Sequence, residues 1–376
     1  MEAYLDNSAT TQPCKEAVDK MNYALKTCWG NPSSLHAKGI TASELIEDSR
    51  RNVAKALSCE SSEIYFTSGG TESNNIALIG TAFAKKKQGN HIIVSKLEHE
   101  SIYGICKFLE ENGFIIDYVN NTKDGIIDFD DLKSLVTKDT ILVSICAVNS
   151  ELGIRQPLKI IKQIIKKENP DCIFHSDMTQ ALGKCPINLN DVDLASFSSH
   201  KIYAPKGVGM LYKSSNVNIK QLMYGSNGEF RPGTPNLPGI VTFSKAVRLA
   251  TDDLNKKEDK IRKYNQKIVE HLKKYPKILI NNTNNSIPNI LNISLMDIKP
   301  ETFVHALEKH EVYVSSNTAC ASGKISNAVL GIYNDKVRAL TTIRISLSYL
   351  TTNEEIEEFL NIFDEVYEKL EELRNV

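Results

Sequence analysis

The chain has no excess of charge of either sign. Lys and Arg number 45 and Asp and Glu 46, a formal charge of −1. That balance argues against a basic nucleic-acid surface as its main business, and direct binding of nucleic acid is not expected. Paired cysteines are also lacking. The eight cysteines, at 14, 28, 59, 106, 146, 172, 185 and 320, include no C-x-x-C, which excludes the usual zinc and redox spacing and leaves no metal site to nominate. Long apolar runs are missing too. The longest uncharged apolar stretch, Thr140 to Ser150, is too short to span a bilayer as a helix, so no membrane association is expected. The opening MEAYLDNSATT has neither a basic n-region nor an apolar h-region, so a secretory signal is not expected either. These absences lead to the expectation of a cytoplasmic protein with reduced thiols, most of them small buried hydrophobes. Internal repeats and low-complexity tails are likewise absent.

The hydrophobic fraction of 41% over 376 residues suffices for a sizeable core. At roughly 100–200 residues per domain, the length suggests two domains or one large α/β domain. Apolar runs at Glu63–Thr67, His91–Ser95, Thr140–Val148, Cys172–His175 and Leu194–Ser198 predict strands buried on both faces of a mainly parallel sheet. Helical patterns over Ser43–Leu57, Thr71–Lys87, Ser101–Asn112 and Pro157–Lys167 alternate with them, as in an α/β domain with helices on both faces. From about Pro238 the character changes. A charged helix over Asp252–Tyr275 leads to a second unit, Asn281–Ser286 is a polar loop, and Asn289–Leu295 alternates like a half-buried strand. A last helix, Glu354–Leu373, carries a continuous apolar stripe that packs on its own domain rather than in a coiled coil.

Ligands of open α/β sheets bind beyond the carboxyl ends of the strands, and five such segments are unusual. Ser68-Gly-Gly-Thr-Glu-Ser73 runs from a strand into a helix, where glycines allow close backbone approach and free N–H groups suit a phosphate. Thr71 adds a hydroxyl there or simply caps the helix. His99, after the 91–95 strand, stacks on a flat ligand, shuttles protons, or is a locally bonded loop histidine. Asn149, in Asn149-Ser-Glu-Leu-Gly153, donates to a ligand oxygen or shapes a turn. Asp177, in Ser176-Asp-Met-Thr-Gln180, is an acid at the end of an interior strand. It meets a cation, such as a protonated ring nitrogen, or caps a helix; Gln180 reaches the same ligand. In Ser198-Ser-His-Lys201, Ser198 and His200 suit phosphate oxygens and Lys201 suits a Schiff base. A solvated surface lysine fits poorly beside so apolar a stretch. Together these groups match the needs of pyridoxal 5′-phosphate.

With those residues in hand, the chain resembles the NifS/IscS-like cysteine desulfurases, in the class V aminotransferase group of the fold-type I pyridoxal phosphate enzymes. The resemblance runs from Tyr4–Thr11 to Arg344–Leu347. It includes, in the family's order, Asn31–His36, Ser68–Ser73, Glu98-His99, Asn149–Gly153, Asp177–Gln180, Ser198–Lys201, Arg231–Thr234 and Ser315–Ser322. It implies a mainly parallel sheet of the seven-stranded type with helices on both faces, plus a smaller α+β C-terminal domain. The expected division is a cofactor domain over 15–255, with 1–14 and 256–376 forming the small domain. By resemblance, Lys201 is the cofactor-linked lysine, and Gly70, Thr71, Ser198 and His200 cradle the phosphate. Asp177 keeps the pyridine nitrogen protonated, Gln180 and Asn149 lie near the phenolic oxygen, and His99 stacks on the ring and acts on substrate sulfur. Thr234 reaches the phosphate site of the neighbouring subunit of a homodimer. Arg344, with Asn149 helping, holds the substrate carboxylate.

Cys320, among the small residues of Ser315–Gly323, matches the family's persulfide-forming nucleophile, which acts as a thiolate. Asn317-Thr318 stand where Gly-Ser is common and Ser348 where Gly is usual. The activity implied is conversion of L-cysteine to L-alanine with sulfur passed to Cys320. An acceptor protein would follow, such as an iron–sulfur scaffold or a tRNA thiolation enzyme. Selenocysteine lyases and small-substrate class V aminotransferases share the scaffold and are the alternatives; a non-catalytic sulfur relay is disfavoured by Lys201 and Asp177.

Overall fold

The structure is a computed structural model that describes residues 1–225, 230–316 and 325–373. Its strands in chain order are β1 (Ala3–Tyr4), β2 (Ile64–Thr67), β3 (His91–Ser95), β4 (Ile115–Val119), β5 (Thr140–Ser144), β6 (Ile173–Asp177), β7 (Leu194–Ser198), β8 (Gly209–Lys213), β9 (Ile278–Ile280), β10 (Ile290–Leu295), β11 (Val312–Tyr313) and β12 (Thr342–Ser346). Seven of them form one sheet in the order β2-β8-β7-β6-β5-β3-β4. The ladders from β4 through β7 are parallel, and β8 runs antiparallel to both of its neighbours. Every residue of β3, β5, β6 and β7 is buried. Alternate side chains enter different cores: Ile93, Val143 and Phe174 on one face, Ile92, Leu142 and Ile173 on the other. Apolar side chains at both parities are what a sheet covered on both faces requires.

The expected helices are present with shifted ends, at Ala37–Leu57, Gly70–Lys85, Glu100–Glu111 and Leu158–Glu168. Two sheet strands escaped the sequence pattern. In β4, an edge strand, Asp117 interrupts the apolar run and the outer face is open; β8 begins with a glycine. The strand expected over Thr140–Val148 stops at Ser144. Beyond it the backbone stays bonded to β6, the Ala147 N–H donating to the Asp177 carbonyl at 2.9 Å, while on the β3 side the Cys146 N–H donates to Glu98 Oε1 at 2.6 Å instead of to a strand.

A second core gathers Leu5, Leu291, Ile293, Phe303, Ile343, Ile345, Phe359 and Phe363. It is built on the antiparallel sheet β12-β10-β9 and the parallel pair β1-β11. The last helix, Asn353–Glu372, starts at a capping box between Thr352 and Glu355 and turns Ile356, Phe359, Leu360 and Phe363 inward. Strand β10 corrects the half-buried expectation, because all six of its residues are buried. Its polar face lies against another polar group rather than water. Asn281 Nδ2 donates to Asn292 Oδ1 at 2.6 Å and Ser294 Oγ at 2.8 Å, and Arg338 Nε donates to Asn281 Oδ1 at 2.6 Å. Alternation reads the same whether the polar side is solvated or internally satisfied. No helix among the described residues is long and apolar enough to cross a membrane.

Candidate active site

A cavity of about 270 Å³ opens beyond the carboxyl ends of the parallel strands. Each wall comes from a segment that follows a strand. The turn after β2 supplies Gly70, Thr71 and Asn74, the loop after β3 supplies Leu97, His99 and Ser101, and the chain after β5 supplies Cys146, Val148 and Ser150. The end of β6 brings Asp177, Thr179 and Gln180, and the end of β7 brings Ser198, His200 and Lys201. Strand β12 adds Arg344, and the N-terminal segment adds Ser8 and Ala9. Of the residues expected from the sequence, Gly70, Thr71, His99, Asp177, Gln180, Ser198, His200, Lys201 and Arg344 share this one space.

The turn after β2 is possible because of two glycines, Gly69 in the turn itself and Gly209 on β8. Gly209, opening β8, lies so close to it that a Cβ there would come within 2.5 Å of Gly69 Cα and of the Phe197 carbonyl. The following helix begins at Gly70 with no side-chain cap, so Thr71 does not cap it, and its first residues, Gly70 and Thr71, line the cavity. A Cβ on Gly70 would meet Thr179 Oγ1 at 2.9 Å. That hydroxyl lines the cavity and is buried without a hydrogen-bond partner.

Asp177 faces the cavity and shapes the turn after β6, where no helix begins for it to cap. Oδ1 accepts from the Thr179 N–H at 2.9 Å, and Oδ2 from Asn74 Nδ2 at 2.9 Å. Behind it on β6, His175 is fully buried between Ser144 Oγ at 2.9 Å and Ser196 Oγ at 3.0 Å. Burial pushes the His175 imidazole down to about 4 against the pull of Asp177, so at pH 7 it is a neutral hydrogen-bonding strut. His99 is the N-cap of the 100–111 helix, its Nδ1 accepting from the Ser101 N–H at 3.1 Å. That local bond and a place in the cavity wall coexist.

Lys201 Nζ donates to the Ser8 carbonyl at 2.6 Å and the Ala9 carbonyl at 2.7 Å. His200 Nδ1 lies 3.2 Å from Thr10 Oγ1. Burial, then the charges of Lys201, Lys206 and Lys184, push the His200 imidazole down to about 4, leaving it a neutral donor or acceptor at pH 7. Arg344 is almost fully buried. Nη2 pairs with Asp6 Oδ1 at 2.9 Å, Nη1 donates to the Ser150 carbonyl at 2.9 Å, and Nε has no partner.

Three expected residues stand apart from this group. Asn149 is buried but does not line the cavity. Its Oδ1 accepts from the N–H groups of Glu151 at 3.0 Å and Leu152 at 2.7 Å, and its Nδ2 donates to the Leu97 carbonyl at 3.0 Å. The turn-shaping alternative describes most of its hydrogen bonding. Thr234 is exposed on the loop before the 237–251 helix, away from the cavity of its own chain. Cys320 lies outside the described residues.

Sequence reasoning missed Ser8, Asn74, Ser101, Cys146 and Thr179 as wall residues. Asn74, four residues after Gly70 on one helix, was within reach of a facing argument. Cys146 carried no comparable signal. Its Sγ donates to the Leu97 carbonyl at 3.2 Å, and burial with the nearby Glu98 carboxyl pushes the thiol well up. It is therefore protonated and a poor nucleophile at neutral pH. Glu98 itself, buried beside Ser95 Oγ at 2.6 Å, is pushed up to about 8 by that burial. Among the described residues there is no group of three or more His, Cys, Asp or Glu placed to hold a metal ion.

The arrangement offers an amine, a strand-end carboxylate, a helix N-terminus with hydroxyls and a buried guanidinium around one space. Comparison with known proteins agrees in kind. The aminotransferase class-V family model matches residues 3–359. The chain is 40% identical over 382 residues to a NifS/IcsS protein homolog of Lactobacillus delbrueckii subsp. bulgaricus, covering 99% of both chains. It is 38% identical over 377 residues to the cysteine desulfurase IscS of Dictyoglomus turgidum, covering 98% of this chain and 95% of that one. A solved structure titled as a NifS-like protein superposes with a TM-score of 0.93 at 34% identity, covering 99% of this chain and all of that one.

Proposed function

The chain belongs to the class-V aminotransferase family, among the IscS/NifS-like cysteine desulfurases, and from that premise we propose that its strand-end cavity holds pyridoxal 5′-phosphate and takes the sulfur from L-cysteine. The observation that carries the reading is the convergence of Lys201, Asp177 and Arg344, from three distant parts of the chain, on one cavity. The residues present fit the cofactor. The unpartnered Thr179 hydroxyl, the uncapped helix start at Gly70, Ser198 and a neutral His200 are donors suited to a phosphate. Asp177 is an acid suited to a pyridinium, and Lys201 an amine suited to an aldehyde.

When bound, the cofactor supplies an electrophilic aldehyde and an electron sink for the charge left by a departing α-proton. The remaining work falls to the chain. Arg344 Nε and the free hydrogens of its two Nη atoms bind the substrate carboxylate and fix which bond faces the sink. Lys201 Nζ takes the α-proton and later returns a proton to carbon. Asp177, held by Asn74 and the Thr179 N–H, supplies the negative charge that keeps a proton on the pyridine nitrogen. His99, in the cavity wall, would stack on the ring and would exchange a proton with substrate sulfur. Cys320 completes the reaction as a thiolate. Its sulfur bonds to the substrate sulfur while the Cβ–S bond breaks, the electron pair staying with carbon, which is protonated to give alanine.

Thr234 and a partner subunit belong to the same proposal. Helices 15–27 and 37–57 both lie against the 237–251 helix that follows Thr234, and Trp29 and Leu35 near them are 69% and 94% exposed. An exposed apolar face of this kind suits a second copy of the chain. Two units, 15–255 and 1–14 with 256–376, a cytoplasmic location, and transfer of the persulfide sulfur to an iron–sulfur scaffold or a tRNA thiolation enzyme complete the reading.

The test uses purified protein with cysteine. The wild type should be coloured by its cofactor and should release alanine in step with sulfur. Lys201→Ala should lose the visible band. Cys320→Ser should keep the band but form no protein-bound persulfide. Cysteine-derived sulfur reaching an acceptor at the wild-type rate in Cys320→Ser would remove Cys320 from the mechanism. Alanine formation that required an added oxo acid would favour the aminotransferase reading instead.

A further inference from the structure

Lys184 is a buried lysine to which the chemistry above gives no task. It is 5% exposed, and its Nζ donates to Gln180 Oε1. The run of turns after β6 returns the chain so that these side chains, four residues apart, meet behind the cavity wall. Gln180 lines the cavity, and Gln180 Nε2 donates to the Ser8 carbonyl at 2.9 Å. The same carbonyl accepts from Lys201 Nζ at 2.6 Å. Lys184, Gln180, Ser8 and Lys201 thus form one continuous hydrogen-bonded chain.

Two one-sided partners decide which way the Gln180 amide points. A lysine ammonium has only donors, so the atom facing it is Oε1; a carbonyl only accepts, so the atom facing Ser8 is Nε2. Ser8 takes one hydrogen of Nε2, and what Gln180 has left to offer the cavity is the other N–H. From this we infer that Lys184 is a positioning residue. It locks Gln180 as a donor toward the group in the cavity and, through Ser8, keeps that donor in register with Lys201. The inference rests on the cofactor reading above. Burial and the charges of Lys201 and Arg344 bring Lys184 down to about 7. A neutral amine keeps two hydrogens to give but gains a lone pair, so above that value the orientation rests on the Ser8 carbonyl, which only accepts.

The experiment is a double-mutant cycle on cofactor-stripped full-length protein. Pyridoxal 5′-phosphate is titrated back, and its dissociation constant and visible absorption are followed at several pH values. Folding of each variant is checked by its thermal melt. Lys184→Met should weaken cofactor binding at least fivefold and move the pH at which the visible band changes. Gln180→Leu should do much the same, and Lys184→Met added to Gln180→Leu should cost less than a further twofold. Lys184→Gln, which keeps an N–H for Oε1 without the charge, should lie within twofold of wild type; it also serves if Lys184→Met does not fold. Three results would overturn the inference: Lys184→Met matching wild type, its full effect persisting in the Gln180→Leu background, or Lys184→Gln as impaired as Lys184→Met. A wild-type protein that fails to bind the cofactor would instead overturn the reading on which this one rests.

Discussion

Removing the Arg344 side chain tests the substrate site most directly. The guanidinium has five N–H donors, and its contacts to Asp6 and the Ser150 carbonyl use one hydrogen on each Nη. Nε, buried and unpartnered, and the second hydrogen of each Nη remain for a substrate carboxylate. Hydrogen bonds to charged groups contribute about 1.5–3 kcal/mol each. Two of them, reduced because Asp6 already shares the positive charge, are worth about 3–4 kcal/mol, or roughly 10²–10³ in kcat/KM. Arg344→Ala should therefore lower kcat/KM for L-cysteine by that factor. Arg344→Lys, which keeps a charge but loses the planar fork, should recover only part of it.

The assay is alanine formation against cysteine concentration, normalised to cofactor occupancy by the visible band. Normalisation matters because Arg344→Ala also strips Asp6 of its partner in a mostly buried pair, which should destabilise the fold by about 3 kcal/mol. The thermal melt separates the two effects. A folded, fully coloured Arg344→Ala protein with kcat/KM within threefold of wild type would refute the assignment of Arg344 to the carboxylate.

Gly70→Ala adds a Cβ 2.9 Å from Thr179 Oγ1 at the proposed phosphate end, and cofactor affinity measured by titration should fall about tenfold, ~1.4 kcal/mol. Cys146→Ser should leave persulfide yield within twofold of wild type, because the protonated Cys146 thiol is only a donor to Leu97; a lost yield, read by alkylation and mass spectrometry, would make Cys146 part of the sulfur path. Asp193, buried beneath the sheet, would be raised by that burial alone, but the hydrogen bond and charge of Lys166, the Phe174 N–H and the charge of Lys162 together hold it below its usual range. A depressed folded-state value stabilises above the unfolded carboxylate pKa of about 4 and loses that stabilisation as pH falls through the lower folded value. Asp193→Asn should thus cost about 2 kcal/mol at pH 7, and denaturant melts should show the gap from wild type closing below pH 4; a gap independent of pH would mean that packing, not charge, sets the cost.

The central strands were legible because both parities of β3, β5, β6 and β7 are apolar, which only a doubly covered sheet explains. Edge strand β4 was not, since Asp117 breaks its run; β8 has Met210 and Leu211 on opposite faces, but its apolar run is short and led by a glycine. At the site, the side chains with distinctive chemistry announced themselves from the segments after the strands. Asn149 shows the limit of that method. It occupies the expected segment, yet most of its hydrogen-bonding capacity is taken by Glu151, Leu152 and Leu97, and residue type cannot tell a ligand donor from a turn former. Asn74 and Thr179 show the converse: ordinary polar residues that matter because of what the fold sets beside Asp177 and Gly70.

The N-terminal segment carries this furthest. Tyr4–Thr11 can be matched as a motif, but its physical role lies in atoms that no residue type encodes. The Thr11 N–H and hydroxyl both bond to the His200 carbonyl, at 2.8 and 2.9 Å, and the Asp6 carboxylate holds Arg344. Between these two anchors the chain has little freedom, so the Ser8 and Ala9 carbonyls are delivered to Lys201 and Gln180 as fixed acceptors. A break at either anchor would move both carbonyls. The segment that begins in the second core at Leu5 therefore sets where the Lys201 amine rests, and loss of the Thr11 contacts should disturb the site as much as substitution of a wall residue does.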